Sequence, residues 1–203
     1  MELQKLGLSF GGQPDQGKFI RPAKIQDALQ IHAIYAPFVK SSYTTYEYTI
    51  PSVSEMADRI EKTLEKYPWI VYEQDGRILG YAYGCQHRGR IGYQFCVETA
   101  IYIAPNGRRA GIGKVLYNTL FEILKIQGFY CAVAWINIPN EASVGFHKAC
   151  GFKEAGKYKV AVKFGNWTDT LIAHKYLKEM IDGEQPPSPT PFLELLKFHN
   201  GAN

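Results

Sequence analysis

The sequence predicts an α/β domain built on a mixed sheet, with antiparallel and parallel strand pairs, flanked by helices. Three observations carry that reading. Short β-branched and aromatic runs alternate with helical-period segments in the order βααβββαβαββ; two strand pairs are joined by hairpin turns; and one strand passes through a basic glycine turn straight into an amphipathic helix. At 203 residues, 46% hydrophobic and 21% charged, the chain suits one domain with a substantial core. The same mixture argues against a doubly wound dinucleotide-binding sheet.

Residues 1–16, with Gly11-Gly12-Gln13-Pro14, lack periodicity and read as a loose extension. A strand over 19–22 opens the domain, which is assigned to residues 17–180. Residues 26–39 set Ala28, Leu29, Ile31, His32, Ile34 and Tyr35 at helical intervals, and a second helix over 55–67 opens with Ser52-x-x-Glu55, a capping box. Between these helices, residues 41–50 carry Tyr43, Tyr46 and Tyr48, and read either as a surface loop or as the wall of a pocket. Strands over 69–73 and 78–84 are joined through Asp75-Gly76, a hairpin signal.

The next strand ends at Ile103, before Pro105, and the following helix places Leu116, Leu120, Phe121, Ile123 and Leu124 on one side before Gly128 stops it. Residues 130–136 form an apolar run suited to a buried strand, and a short helix runs to Ala149 with Gly151 behind it. Strands over 160–164 and 168–176 make the last hairpin. Residues 181–203 read as a proline-rich linker and a short apolar helix that packs on the parent domain or on a dimer mate, or else serves as an independent partner motif.

The formal charge of +4 is small and dispersed, and no basic–aromatic run suggests a nucleic-acid face. No apolar run is long enough for a membrane span, and the first residues lack the plan of a secretory signal, so a cytoplasmic protein is expected. Cys85, Cys96, Cys131 and Cys150 stand apart, without a Cys-x-x-Cys pair or metal-ligand spacing to the five histidines. Each thiol reads as a small buried hydrophobe. Neither a metal site nor a structural disulfide is expected.

The turn between the central strand and its helix is Arg108-Arg109-Ala110-Gly111-Ile112-Gly113, followed by Lys114. Glycines there remove the Cβ atoms that hinder close backbone approach, so that N–H groups at a helix start can converge on an anion. A Walker loop would need glycine at Arg108 and a hydroxyl at Val115, and a dinucleotide fingerprint would need glycine at Leu116. The remaining pattern, Arg-x-x-Gly-x-Gly, resembles the pyrophosphate-binding loop of the GCN5-related N-acetyltransferases.

Further motifs narrow the resemblance. Residues 97–103, this loop, Ile138-Pro139-Asn140-x-x-Ser143-Val144 and Phe146-His147-Lys148-Ala149-Cys150-Gly151-Phe152 are similar, in order and spacing, to the phosphinothricin and methionine sulfone/sulfoximine acetyltransferase branch. Arg88-x-Arg90-x-x-Tyr93, Tyr67-Pro68-Trp69 and Gly165-x-Trp167-x-Asp169 fit it as well, over about residues 20–177. The resemblance implies a single GNAT-type domain with a mostly antiparallel sheet, acetyl-CoA as co-substrate without a metal, and a homodimer. It implies acetyl transfer to the primary amine of a small amino-acid-like molecule. The alternatives are a polyamine, antibiotic or protein N-terminus as acceptor, or a non-catalytic acyl-CoA sensor.

The resemblance also implies site residues. Glu98 is the candidate base for the ammonium, or else a strand carboxylate paired with a nearby arginine. Ala100, Ile101, Tyr102 and Ile103 are expected to contact the cofactor arm through the backbone, one N–H serving as oxyanion donor, and Arg108 to Lys114 to take the diphosphate. Asn140, with Ser143 in the same motif, holds the pantetheine arm or simply caps its helix. His147 protonates the departing sulfur or is a packed helix histidine. Arg88, Arg90 and Tyr93 form an acceptor clamp, with Tyr46 as an aromatic wall.

Overall fold

A computed structural model describes residues 17–200, so the extension expected over 1–16 lies outside the described residues. The chain runs β1 (Lys18–Pro22), α1 (Ala28–Ser41), α2 (Val53–Lys66), β2 (Trp69–Gln74), β3 (Arg77–Gln86), β4 (Cys96–Ile103), α3 (Ile112–Gln127), β5 (Cys131–Ile138), α4 (Glu141–Ala149), β6 (Lys153–Lys163), β7 (Asn166–Tyr176) and α5 (Phe192–Asn200). Up to β7 this is the predicted order. The strands form one sheet, β1-β2-β3-β4-β5-β7-β6, in which β4 and β5 pair in parallel and every other neighbouring pair is antiparallel.

Local chemistry accounts for several boundaries. The Ser52–Glu55 capping box forms, with Glu55 N donating to Ser52 Oγ at 3.1 Å and Ser52 N donating to Glu55 Oε2 at 2.5 Å. The Asp75-Gly76 turn takes positive φ at both residues, 52° and 75°, as the twist of a tight hairpin requires. At its start β6 departs from expectation: it begins at Lys153 instead of about Val160. The segment Lys153-Glu154-Ala155-Gly156-Lys157 lacks an apolar alternation because β6 is an edge strand, mostly exposed, whose lysines discourage further pairing.

Helices cover both faces. Ile31, Ile34, Tyr35 and Val39 of α1 and Met56 and Ile60 of α2 pack with Trp69, Val71, Tyr81 and Tyr102 on one face. On the other, Leu116, Tyr117, Leu120, Phe121 and Leu124 of α3 pack with Ile70, Ala82, Val97, Ala132 and Ala134. Consecutive strand residues thus serve opposite cores, the period-2 signature of a sheet buried on both sides. Among the described residues, no helix is long and apolar enough to cross a membrane. The tail joins the α3 side: Phe192 is fully buried, and Gln127 Nε2 donates to the Thr190 carbonyl at 2.7 Å.

Candidate active site

The parallel pair at the centre of the sheet is short. Strands β4 and β5 are in register over Cys96–Cys131, Val97–Ala132 and Glu98–Val133, after which the pairing stops although β4 continues to Ile103 and β5 to Ile138. Beyond Glu98 the two strands part and open a wedge-shaped cleft. On its other edge β4 stays paired to β3 through Ile103, so the stretch Thr99–Ile103 is held on one side and has no strand partner on the cleft side among the described residues. At the mouth, β4 leads to the N-terminus of α3 and β5 to that of α4. Ligand sites in open α/β sheets form at this kind of junction, outside the carboxyl ends of diverging strands.

The start of α3 is suited to an anion. Its N-cap is Gly111, with φ 77° and no side chain to cap the first turn, and none of the hydrogen bonds among the described residues takes the amides of Gly111, Ile112 or Gly113. These orphan donors and the helix dipole point the same way. Arg109 is also left-handed, at φ 63°, a costly conformation for a side-chain-bearing residue, and Arg108, Arg109, Ala110 and Lys114 are exposed around the turn. The two glycines have different reasons. A Cβ on Gly111 would meet open space, so its conformation demands glycine; a Cβ on Gly113 would lie 3.1 Å from the Phe146 ring, so its bareness lets α4 pack on α3.

Glu98 sits where the strands part, on the sheet face that carries α1 and α2. Its Oε1 is 3.0 Å from Nδ1 of His87, and no arginine is bonded to it among the described residues. An ionised carboxylate only accepts, so Nδ1 carries the proton and His87 fixes the carboxylate. Cys85 lies opposite Glu98 on β3; burial, and after it the charge of Glu98, push its thiol up to about 12. It stays protonated and is a poor nucleophile.

The predicted clamp residues are partly gathered. Arg88 lies over the Tyr93 ring at 5.6 Å, and Tyr93 meets the edge of His87 at 6.2 Å. A continuous line Glu98–His87–Tyr93–Arg88 results. Arg90 is exposed and has no hydrogen bond or ion pair to these groups among the described residues. Tyr46 is placed elsewhere on the same face. Its hydroxyl accepts from Asn137 Nδ2 at 2.9 Å and shares a hydrogen bond with Thr170 Oγ1 at 2.6 Å, while Tyr48 donates to the Val162 carbonyl at 2.6 Å. The tyrosine loop is therefore pinned across the β5–β7–β6 side of the cleft.

Across the sheet, Asn140 caps α4, its Oδ1 accepting from Ser143 N at 3.2 Å, which leaves its amide nitrogen free of that bond. His147 is 6% exposed. The sequence reading needs a ring nitrogen that can meet sulfur, whereas Nδ1 lies 2.8 Å from the Ser143 carbonyl and Nε2 3.0 Å from the Tyr117 hydroxyl. A carbonyl only accepts, so Nδ1 is protonated and Nε2 takes the Tyr117 proton. Burial holds the ring below its ordinary value of 6.5. The unfolded chain then binds a proton that the folded one refuses, so His147 costs stability as pH falls through and below about 6.5, by up to about 1.4 kcal/mol per pH unit. Urea titrations at pH 7.5 and 5.5 should show a smaller loss in His147→Gln than in the wild type.

The acetyltransferase (GNAT) domain model matches residues 20–172. The chain belongs to the GNAT acetyltransferases. Phosphinothricin N-acetyltransferase of Alcaligenes faecalis is 38% identical to this GNAT chain over 163 residues, 78% of the chain and 82% of the relative. The L-methionine sulfoximine/L-methionine sulfone acetyltransferase of Pseudomonas aeruginosa is 32% identical over 74% of the chain and 89% of its own length. A solved GNAT superfamily phosphinothricin acetyltransferase from Sinorhizobium meliloti, in complex with AcCoA, superposes with a TM-score of 0.78 at 34% identity, covering 84% of this chain and 94% of that one.

Sequence reasoning overlooked His87, Tyr117, Asn137 and Thr170 in this GNAT domain. His87 alone left a usable sign: it adjoins Arg88 just after the strand that pairs with Glu98. The other three are ordinary residues in their own segments, and their partners lie 30 or more positions away in sequence, as with Tyr117 and His147.

Proposed function

We propose that this protein transfers the acetyl group of acetyl-CoA to the primary amine of a small, anionic, amino-acid-like acceptor of the phosphinothricin or methionine sulfoximine/sulfone type. The observation that carries the reading is the cleft between β4 and β5, with Glu98 where it closes and unbonded helix-start amides where it opens. The amides of Gly111, Ile112 and Gly113, with Arg108, Arg109, Ala110 and Lys114 around them, hold the diphosphate. The free edge of Ala100, Ile101, Tyr102 and Ile103 receives the pantetheine arm, assisted by Asn140 and Ser143. One backbone N–H of that edge faces the thioester carbonyl and stabilises the charge that develops on its oxygen.

An ammonium ion has no lone pair with which to attack. Glu98, directly or through a water, takes that proton, and His87 keeps the carboxylate aimed along the cleft. Attack is direct: the Cys85 thiol beside Glu98 is held protonated, which disfavours an acetyl-cysteine relay. His147 holds Tyr117 and α4 in place, Nδ1 on the Ser143 carbonyl and Nε2 on the tyrosine hydroxyl, and the departing sulfur takes its proton from the medium.

Arg88, Arg90 and Tyr93 bind the acceptor's carboxylate and its sulfone, sulfoximine or phosphinyl oxygens, with Tyr46 as the far wall. Their positive charge favours an anionic acceptor over a polyamine. Loss of one charge-assisted bond is worth about 1.5–3 kcal/mol, so Arg88→Ala and Arg90→Ala should each raise the acceptor KM about 10- to 150-fold and leave the KM for acetyl-CoA unchanged. An effect confined to acetyl-CoA would remove the clamp. The protein works as a cytoplasmic homodimer in this reading; the exposed aromatic rings of Trp135, Tyr158 and Tyr176 on one sheet face support an association surface.

One assay tests the whole proposal: thiol release from acetyl-CoA with phosphinothricin, methionine sulfoximine, methionine sulfone, a polyamine, an aminoglycoside and a peptide as acceptors. Release with the first three and not with the others is expected. Preference for the polyamine, aminoglycoside or peptide would replace the acceptor class. Coenzyme A binding without release from any acceptor would make the protein a sensor.

A further inference from the structure

On the closed side of the wedge, before the strands part, two thiols stand side by side. Cys96 of β4 and Cys131 of β5 are in-register partners in the parallel ladder, so their side chains leave the same face of the sheet. Adjacent strands lie about 4.8 Å apart, inside the roughly 4.4–6.8 Å Cα separation that a disulfide accepts. Both are free thiols; Cys131 is buried and Cys96 only partly so. The pair is asymmetric. Cys131 presents its S–H to the Ala132 carbonyl, at 3.7 Å.

The neighbouring Cys131 thiol, and after it the nearby His87, favour the Cys96 thiolate against the opposing effect of burial, whereas the neighbouring Cys96 and burial push Cys131 up. Cys96 is thus the accessible partner and Cys131 the enclosed one beside it. An accessible attacking cysteine with a resolving cysteine on the neighbouring strand position makes up a reactive dithiol.

We propose that Cys96 and Cys131 form a reversible modification site that takes up two oxidising equivalents from low-molecular-weight disulfides. The Cys96 thiolate attacks one sulfur of the small disulfide, whose S–S bond breaks to release one thiolate. The Cys131 sulfur then attacks Cys96 in the mixed disulfide, forming the Cys96–Cys131 bond and expelling the second thiolate. Cys131 loses its proton as it attacks; that proton and the one Cys96 had already lost to the medium end on the two released thiols, so the small disulfide is reduced and the cysteine pair oxidised. Cys85, opposite Glu98 and held protonated, and Cys150, in the α3-side core, stay outside the exchange. None of this depends on acetyl transfer.

The test treats the full-length protein with oxidised glutathione, denatures it, alkylates with iodoacetamide and maps the peptides by mass spectrometry. In the wild type Cys96 and Cys131 should disappear together from the alkylated set, with a cross-linked peptide and no retained glutathione, and dithiothreitol should restore both. Cys131→Ser should stop at a Cys96–glutathione adduct, and Cys96→Ser should leave Cys131 alkylatable. Wild-type protein that accumulates glutathione on Cys96 with Cys131 still alkylatable, or in which neither thiol reacts, overturns the proposal. The cross-link in wild-type protein is decisive even where a serine variant folds poorly.

Discussion

Replacing Glu98 by glutamine lowers kcat/KM for the acceptor by about 10²–10⁴ at neutral pH and leaves the Kd for coenzyme A at its wild-type value. Glutamine keeps the shape of the side chain and can still bond to His87, so the strand and the cleft survive; what is lost is the capacity to hold a proton. The corresponding rise in the barrier is about 2.7–5.5 kcal/mol. The effect also has a direction in pH. As the medium approaches the pKa of the acceptor's ammonium, free amine becomes available without a base, so the gap between variant and wild type should narrow. Initial rates across pH, with isothermal titration of coenzyme A alongside, measure both. Equal turnover of variant and wild type would take Glu98 out of the mechanism.

The largest effect on stability is expected at Phe192, far from that chemistry. Its ring is fully buried against the α3-side core, with Leu195 and Leu196 beside it, and the chain before it is anchored by Thr190 N donating to the Gln127 carbonyl at 2.7 Å. Truncating a buried phenylalanine to alanine costs about 3–5 kcal/mol, part lost transfer and part cavity. For a chain of this size that lowers Tm by about 6–20 °C. Thermal denaturation of Phe192→Ala measures it. An unchanged midpoint would mean that residues 181–203 form a separate appendage and that the domain folds without them.

Features that depend on neighbours in sequence were legible, and those that depend on register were not. Gly111 needs its left-handed backbone, Ser52 its partner three residues on, and Asp75-Gly76 its two positive φ values; each is a local condition that a string of residues states directly. The early start of β6 is hidden because an edge strand needs no apolar face. Gly113 owes its bareness to Phe146, in the next helix, which the spacing of the loop cannot reveal. Glu98 could be placed beside some cation, but whether that cation was an arginine or His87 depends on how β3 aligns with β4. For His147 the sequence supplied the residue type and not the enclosure: a carbonyl on one nitrogen and a tyrosine on the other are products of how α3 and α4 pack.

The parted strands also act as a ruler. From Glu98 to Ile103 is five residues of extended chain, about 16 Å at roughly 3.3 Å per residue, and β3 keeps that span from flexing. In the proposed function, an acyl donor is measured against a fixed distance between its charged handle and its reactive carbon. Thioesters with short arms, such as S-acetylglutathione, can seat one end or the other and never both. The protein would discriminate among acetyl donors by reach, before any recognition of the acetyl group itself.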